Sequence, residues 1–298
     1  MVKIAYIILA YNLPDQLVRL VNQLDYKGVN FYIHVDKRAK PEDFDHVYSH
    51  LSCRPNVFFL RRLSTPWGKI GCVKAMLAGI NQIVESNVDF DFAINLSGQD
   101  YPIKSNQQIQ DALQRGRQNS FMKYYSIPYK NHPQMEEWIL YRHYYFARWH
   151  ISFPKANMFE SPILNRLWNP LAARIKVRYP LPPEMDPYYG SAYWCLNREA
   201  VMYVNNFLKK QKDYVKRFSH VQFPDEFFFQ TTLVNSPLKD NIVNENFRHI
   251  DFSAKKAHPK VIISDDLQTL LSSTKLFARK FDMTCDYHIL DLLDERIS

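Results

Sequence analysis

The sequence lacks the glycine-rich loops that hold phosphates in the commonest nucleotide-binding folds. It has only 7 glycines in 298 residues, and neither G-x-x-x-x-G-K-[ST] nor G-x-G-x-x-G occurs. Cysteine is also scarce: Cys53, Cys72, Cys195 and Cys285 stand far apart, without a C-x-x-C pair. We therefore predict buried free thiols rather than a disulfide framework or a zinc site.

Spacings that indicate metal ions or covalent catalysis are missing as well. No H-x-E pattern occurs, and no serine or cysteine lies in a nucleophile elbow. Two Asp-x-Asp pairs exist, Asp43/Asp45 in a charged surface segment and Asp89/Asp91 ahead of a predicted strand. A metal-and-diphosphate site needs its carboxylates after the strand, so neither pair fits, and no metal site is predicted.

Long apolar runs are absent too. The N-terminal MVKIAYIILAYN has one charge and a short apolar run that stops at Asn12, too short to span a bilayer and without a small-residue cleavage site. This run is predicted to be the first strand. The expected location is cytoplasmic, with at most a peripheral contact on the inner face of the cytoplasmic membrane.

The chain does contain apolar residues for a core, many aromatic residues and an excess of positive charge. Hydrophobic residues make up 46% and aromatic residues 15%, and the formal net charge is +8. The charge favours an anionic partner such as a nucleotide, a phospholipid surface or an acidic polymer. Nucleic acid is not predicted as a partner, because no RRM, KH or helix-turn-helix signature appears and the basic residues are scattered.

Strand and helix patterns alternate through the first half of the chain. KIAYIILAY, NFYIHVD, VFFLR, FDFAINLSG and SFMKYYSI read as strands. Asn12 is the predicted cap of the first helix, and Ser105 caps a later one. The order predicts an α/β fold with a mostly parallel central sheet flanked by helices, and with ligands at the carboxyl ends of its strands. Asp36 and Asp100 each follow such an end.

The pattern breaks after residue 127. Residues 128–189 are rich in Tyr, Trp, His, Arg and Pro and are read as an aromatic insertion within one domain spanning 1–298. Regular order resumes over 190–298, where GSAYWCLNREAV predicts a strand and a helix capped by Asn197. The last stretch, from Leu267 to Ile297, is predicted to be a helical tail.

The segment VQFPDEFFFQTTLVNSP places two carboxylates, Asp225 and Glu226, between a proline and three phenylalanines. Acidic residues favour a helix start, with proline in the first turn. A catalytic base at the rim of an apolar pocket is the second interpretation. The residues by themselves leave both open.

Two further groups of residues have a functional and a structural interpretation. In LFARKFD, Arg279 and Lys280 can neutralise a diphosphate where no metal is present, or form a solvated surface pair. Trp67, in the loop STPWGKIG, and Trp194, after GSAY, can stack on a sugar or base, or fill the core.

The polar turn in NLSGQDYPI also has two interpretations. Ser97, Gln99 and Asp100 can bind hydroxyl groups, or form an ordinary Asx-type turn.

These pieces occur together in an order that resembles glycosyltransferase family 14. The motifs are YIHVDKRA, W-G before an apolar helix, DFAINLSGQDYPIKS, GSAYWCLNREAV, PDEFFFQTTLVNSP and LFARKFD, covering Ile4 to about Arg296. The family contains core-2/I-branching β-1,6-N-acetylglucosaminyltransferases and peptide O-xylosyltransferases. HVDKR, NSP and the FARKF string are closer to the xylosyltransferase branch.

The resemblance implies a GT-A-type fold and an inverting transfer of a sugar, such as xylose, N-acetylglucosamine or another hexose, from a UDP-sugar to a glycan hydroxyl. No divalent metal or other cofactor is implied. Nucleotide-sugar binding is expected in 1–127, and catalysis and diphosphate binding in 190–298. The insertion 128–189 has no motif that aligns with the family and is expected to be the acceptor region. The implied site residues are Glu226 as general base, Arg279 and Lys280 for the diphosphate, Asp36, Trp67, Ser97 and Asp100 for the nucleotide and donor sugar, and Tyr193, Trp194 and Asp225 for the acceptor.

Animal members of the family have a membrane anchor and many disulfides, which this sequence lacks, so a bacterial or otherwise cytosolic member in polysaccharide or glycoconjugate synthesis is expected. The basic, aromatic segment from Leu164 to Tyr179 allows contact with an anionic membrane near a lipid-linked acceptor, or merely covers the core. The alternative function is a non-catalytic carbohydrate- or nucleotide-binding protein on the same fold, which would not need Glu226.

Overall fold

A seven-stranded sheet forms the centre of the molecule. The structure is a computed structural model, and it describes residues 1–130, 133–146, 149–153, 161–172, 174–175, 181–254 and 258–297. The strands, in the order in which they lie side by side, are β10 (Ile242–Val243), β6 (Ser120–Ser126), β9 (Tyr188–Asn197), β4 (Phe92–Ser97), β1 (Ile4–Ala10), β2 (Val29–Val35) and β3 (Val57–Phe59).

Neighbouring strands in this sheet are parallel except at β9, which runs antiparallel to both β4 and β6. A three-stranded sheet contains β11 (Arg248–Ile250), β12 (Phe277–Arg279) and β5 (Tyr101–Pro102), and β7 (Arg142–Phe146) pairs with β8 (Trp149–Phe153) in a hairpin.

Helices cover both faces of the central sheet. Two clusters of buried apolar side chains, one per face, form the core. Side chains of α1, α2, α4, α10 and α11 belong to one cluster, and those of α3, α5, α7 and α9 to the other. The helices are α1 (Pro14–Leu24), α2 (Pro41–Leu51), α3 (Gly71–Glu85), α4 (Asn106–Arg115), α5 (Gln134–Leu140), α6 (Pro162–Ala172), α7 (Arg198–Lys210), α8 (Tyr214–Arg217), α9 (Phe228–Val234), α10 (Leu267–Ser272) and α11 (His288–Ile297).

This architecture confirms the predicted α/β class with a mostly parallel central sheet. The continuous apolar runs are the buried strands β1 and β4, as expected for strands covered on both faces. Ser105 forms a capping box at the start of α4, and the Asn197 side chain caps α7 by accepting from the Ala200 amide.

Three local predictions were wrong. Leu13, not Asn12, precedes α1, and its left-handed backbone (φ 58°) leaves that helix without a side-chain cap. The predicted helical tail contains the strand β12, because tertiary pairing with β5 and β11 overrides the local pattern. Cys53 and Cys285 are exposed, although all four cysteines are free as predicted.

The strand β9 carries a bulge next to the site described below. Met122 of β6 pairs with Trp194, but Tyr124 pairs with Gly190, so β9 has two extra residues between these pairs. Side-chain amides hold the bulge: Asn95 donates to the Ala192 carbonyl at 2.9 Å, and Gln230 donates to the Ser191 carbonyl at 2.6 Å. Bulges of this kind redirect side chains beside active sites.

Candidate active site

Asp36, at the carboxyl end of β2, is fully buried and fastens the loop that carries Trp67. Its carboxylate accepts hydrogen bonds from the backbone amide and guanidinium of Arg38 and from the amide and hydroxyl of Thr65. Burial alone would raise the pKa of Asp36, but these donors outweigh it and lower the pKa to about 2. The carboxylate is therefore an anchor for the loop, held ionised at neutral pH.

Trp67 projects from that loop with 65% of its surface exposed. Its ring forms an edge-to-face contact with Phe223 at 4.6 Å between centroids, and Phe223 in turn contacts Trp138 at 4.6 Å. Gly68 (φ +72°) lets the chain turn tightly against the Phe223 ring. Trp67 therefore packs against Phe223, the residue that precedes the Pro-Asp-Glu motif.

Asp225 and Glu226 lie in a single 3₁₀ turn, residues 224–226, before α9 begins at Phe228. Burial raises the pKa of both carboxyl groups, and the neighbouring Asp225 charge raises that of Glu226 further. The Tyr189 side chain hydrogen-bonds to Glu226 and opposes this rise. One oxygen of Asp225 is buried without a hydrogen-bond partner. Pro224 and the two acidic residues occupy the first turn, as the helix-start interpretation expects, although neither carboxylate caps α9.

Tyr189 is the first of a group of tyrosines beside Glu226. Its ring stacks on Tyr125 with centroids 6.4 Å apart, and Tyr125 stacks on Tyr129 at 4.6 Å. The stacking places the phenol groups of Tyr125 and Tyr129 beside Tyr189, and phenol hydroxyls both donate and accept hydrogen bonds.

The predicted diphosphate residues meet the polar turn that follows β4. The Gln99 carbonyl accepts from the Phe281 amide at 2.9 Å, and its side chain donates to the Phe281 carbonyl at 3.2 Å. This pairing places Asp100 3.8 Å from the Nε of Arg279. The structure therefore brings together residues that are 179 positions apart in the sequence.

Arg279 is largely buried, and its guanidinium lies 4.4 Å from the centroid of the Tyr193 ring. Burial lowers its pKa, and the Asp100 charge offsets this only in part. The Nε of Arg279 and one oxygen of Asp100 have no hydrogen-bond partner. Because buried polar groups are normally paired, this cation is suited to an anionic ligand. Lys280 follows, half-buried.

Arg248 is a second buried arginine, which the sequence analysis missed. Its guanidinium donates to the Asn95 carbonyl at 2.8 Å and lies 4.4 Å from the centroid of Phe277 and 5.8 Å from that of Tyr193. Among the described residues no carboxylate forms an ion pair with it. The motif order offered no signal for Arg248, since β11 brings it to the site only through pairing with β12.

Ser97 and Trp194, two other residues of the predicted site, have structural roles. Ser97 closes the turn after β4: its amide donates to Asp100, and its hydroxyl accepts from the Gln99 amide at 3.3 Å. Trp194 was predicted to contact the acceptor, but it is fully buried and packs on Phe229 at 5.0 Å. It lies beyond the bulge, where regular alternation returns its ring to the core, so we remove it from the acceptor residues.

Candidate metal ligands do not assemble in the parts of the chain described above: no group of three or more His, Cys, Asp or Glu occurs there. Asp89 pairs with Lys3 and Arg198, and Asp91 pairs with Arg117. An i, i+4 histidine pair on α2, His46 and His50, was not predicted from the sequence, and its rings stack at 4.3 Å.

The chain is similar in sequence to a known protein family. A sequence model of the family described as "Branch: Core-2/I-Branching enzyme" matches residues 4–271. The chain belongs to this family. Membership confirms the resemblance stated above, and the α/β architecture agrees with the GT-A-type fold expected from it.

Xylosyltransferases are among the curated proteins that this chain resembles. Xylosyltransferase 1 of Canis lupus familiaris and of Homo sapiens are each 27% identical, covering 98% of this chain and 30% of the relative. Xylosyltransferase 2 of Rattus norvegicus is 26% identical, covering 99% of this chain and 33% of the relative. The chain thus spans about a third of the length of these relatives.

A solved structure of the galactosyltransferase LgtC in complex with donor and acceptor sugar analogs covers 99% of this chain and 96% of its own, at 10% identity. The TM-score of this match is 0.45. Across the described ranges, no helix combines the length and apolar character needed to cross a membrane.

Proposed function

We propose that this protein is an inverting glycosyltransferase that moves a sugar from a UDP-sugar to a hydroxyl of a glycan acceptor, forming a β-linkage without a divalent metal ion. The observation that carries the proposal is Glu226, a buried carboxylate of raised pKa with a phenol hydroxyl beside it. A cation without a carboxylate hydrogen bond, Arg279 of β12, lies against Tyr193 of β9, the strand that also carries Tyr189.

Glu226 is the proposed general base. In the transfer step the acceptor oxygen attacks the anomeric carbon while Glu226 takes the hydroxyl proton. The bond from that carbon to the UDP oxygen breaks on the opposite face, and UDP leaves with the electron pair. Such a base typically contributes about 10²–10⁴ in rate, and a raised pKa makes the carboxylate a stronger proton acceptor.

Arg279 and Lys280 are proposed to neutralise the charge that develops on the departing diphosphate. Tyr193 contacts Arg279, and Tyr189 contacts Glu226. These tyrosines are four positions apart on β9, which is at most about 13 Å of strand. A donor sugar between base and diphosphate fits this separation.

The remaining assignments belong to the proposal as well. Asp36 and Thr65 hold the loop of Trp67, which, with Ser97 and Asp100, would form the nucleotide and donor-sugar side. Tyr193, Asp225 and the tyrosines beside Tyr189 would face the acceptor, a glycan or lipid-linked glycan. Part of the predicted insertion, 128–189, lies outside the described residues. Its acceptor role and the division into halves stay predictions, as do the bacterial source and cytoplasmic location.

Calorimetric UDP binding in excess EDTA, together with turnover of a UDP-sugar panel, tests the proposal. Glu226→Gln is expected to abolish transfer and keep the affinity for UDP. Arg279→Ala should weaken the binding of UDP by about 1.5–3 kcal/mol, the range for a charged hydrogen bond. Glu199→Gln and Arg198→Ala, on the exposed start of α7, are the matched controls.

Transfer by Glu226→Gln within about tenfold of wild type would remove Glu226 from the base role. UDP binding that requires Mn²⁺ or Mg²⁺ would contradict the metal-free mechanism. UDP binding without turnover of any sugar would favour the alternative of a non-catalytic binding protein.

A further inference from the structure

Helix α6 exposes its aliphatic side chains to solvent. The exposed fractions are 73% for Ile163, 49% for Leu164, 73% for Leu167 and 54% for Leu171. At about 100° per residue these four positions fall within one arc of roughly 100°. They therefore form a single apolar stripe, named here the α6 stripe.

The opposite face of α6 packs on the protein. Ala172 is buried, and Asn165, Trp168 and Asn169 are half-buried. The Trp168 ring contacts Phe153 of β8 at 5.4 Å. This pattern inverts the usual surface helix, in which aliphatic residues face the core and amides face water. A contiguous exposed apolar patch of this kind indicates an interaction or membrane surface.

The charge around the α6 stripe indicates which partner covers it. Between Glu160 and Glu184 the sequence contains no Asp or Glu. Arg166 and Arg174 are exposed, one within α6 and one just after it. Two more basic residues follow in the sequence, Lys176 and Arg178, which lie outside the described residues. Basic and aliphatic residues on a short helix match the chemistry of an anionic lipid surface.

We propose that α6 binds the surface of an anionic phospholipid membrane. The α6 stripe would enter the boundary between headgroups and acyl chains, and the arginines would contact lipid phosphates. With 11 residues, α6 is too short to span a bilayer, so it would lie in the plane of the interface. This binding is separate from sugar transfer and requires no step of that reaction.

Packing connects this region to the catalytic segment. Trp168 contacts β8, which pairs with β7, and Tyr144 of β7 lies 4.7 Å from His220. His220 is six positions before Glu226. A bound membrane would thus lie near the segment that carries Glu226, which suits a lipid-linked acceptor; this consequence, unlike the binding itself, rests on the proposed function.

Co-sedimentation with phosphatidylcholine vesicles, with and without phosphatidylglycerol, tests the membrane contact. Wild-type protein is expected to bind the phosphatidylglycerol vesicles, and Ile163→Ser combined with Leu167→Ser should weaken this binding by about tenfold or more, because the inserted apolar groups are lost. Arg166→Gln combined with Arg174→Gln should reduce the preference for phosphatidylglycerol. The control, Phe252→Ser with Tyr287→Ser, removes apolar residues that are 55% and 62% exposed elsewhere.

Circular dichroism and UDP binding establish that each variant is folded. The proposal would be overturned if the wild type did not bind phosphatidylglycerol vesicles, or if the control variant lost vesicle binding to the same extent. Concentration-dependent dimers that the Ile163→Ser, Leu167→Ser protein no longer forms, without vesicle binding, would assign the α6 stripe to a second copy of the chain and also overturn it. Vesicle binding by a protein that does not transfer sugar would leave this proposal intact and contradict only the proposed function.

Discussion

At the scale of the residue, Glu226 has two neighbours that act on its pKa in opposite directions. The negative charge of Asp225 raises the pKa, adding to the larger effect of burial, and the hydrogen bond from Tyr189 lowers it. Since the base must be ionised to accept a proton, the rate of transfer should rise with pH through this pKa. The rise should occur above about pH 4.3, the ordinary value for glutamate.

Removing Asp225 or Tyr189 separately should shift the pH profile of transfer in opposite directions. Asp225→Asn removes the charge and should move the rising limb of kcat/KM to lower pH. Tyr189→Phe removes the hydrogen bond to the ionised form and should move the limb to higher pH. Tyr203→Phe, on α7, is the control and should leave the profile in place. Shifts of the same sign in the first two variants would contradict the assignment of Glu226 as the titrating base.

At the scale of the element, the bulge in β9 determines where Tyr193 points. Gly190 lies at one end of it, and a Cβ atom there would clash with the Lys123 carbonyl oxygen. The glycine of GSAY is thus required by the close approach of β6, since it has no side chain to clash.

Gly190→Ala is expected to destabilise the protein by about 1–3 kcal/mol, the range for overpacking, and to weaken UDP binding because Tyr193 and Arg279 shift. Gly79→Ala on α3 is the matched control. Its Cβ would meet the Ile7 side chain at 2.7 Å, so stability should fall while UDP affinity of the folded protein stays unchanged. Urea unfolding and calorimetry measure the two effects. Unchanged UDP affinity in Gly190→Ala would separate the bulge from the diphosphate site.

The sheet and its motifs were predictable where local pattern and tertiary structure agree. The buried strands β1 and β4 read directly as apolar runs, and Ser105 and Asn197 cap helices through contacts within four residues. Arg248, the bulge and the Tyr189–Glu226 contact could not be predicted, because each depends on strand pairing or on contacts between distant segments. The strand β12 was missed for the same reason.

At the scale of the whole molecule, a buried carboxyl with a raised pKa makes folding depend on pH. The folded protein holds the Glu226 proton more tightly than the unfolded chain, which releases it near pH 4.3. The protonated Glu226 carboxyl therefore contributes to the free energy of unfolding below that pH, and this contribution is lost as pH rises through the folded-state pKa.

At pH 8 the free energy of unfolding of Glu226→Gln should therefore be about 1–2 kcal/mol higher than that of wild type, so the variant unfolds at a higher urea concentration. Near pH 4.5 the two free energies should be equal. Urea titrations at the two pH values measure this difference. Glu199→Gln, on the exposed start of α7, should show no such pH dependence. A difference for Glu226→Gln that is equal at both pH values would mean that the carboxyl titrates alike in the folded and unfolded protein.

The bulge in β9 has a consequence for how this site can change over evolution. One extra residue in a strand would reverse which side chains face the core beyond it, whereas two extra residues keep the alternation in phase. Trp194 on one side and Tyr188 on the other thus keep their places in the same apolar cluster. Residues 191–193 can accept substitutions that change the surface next to Arg279 without changing the register of the sheet. The fold therefore has a segment in which specificity can diverge without a new core.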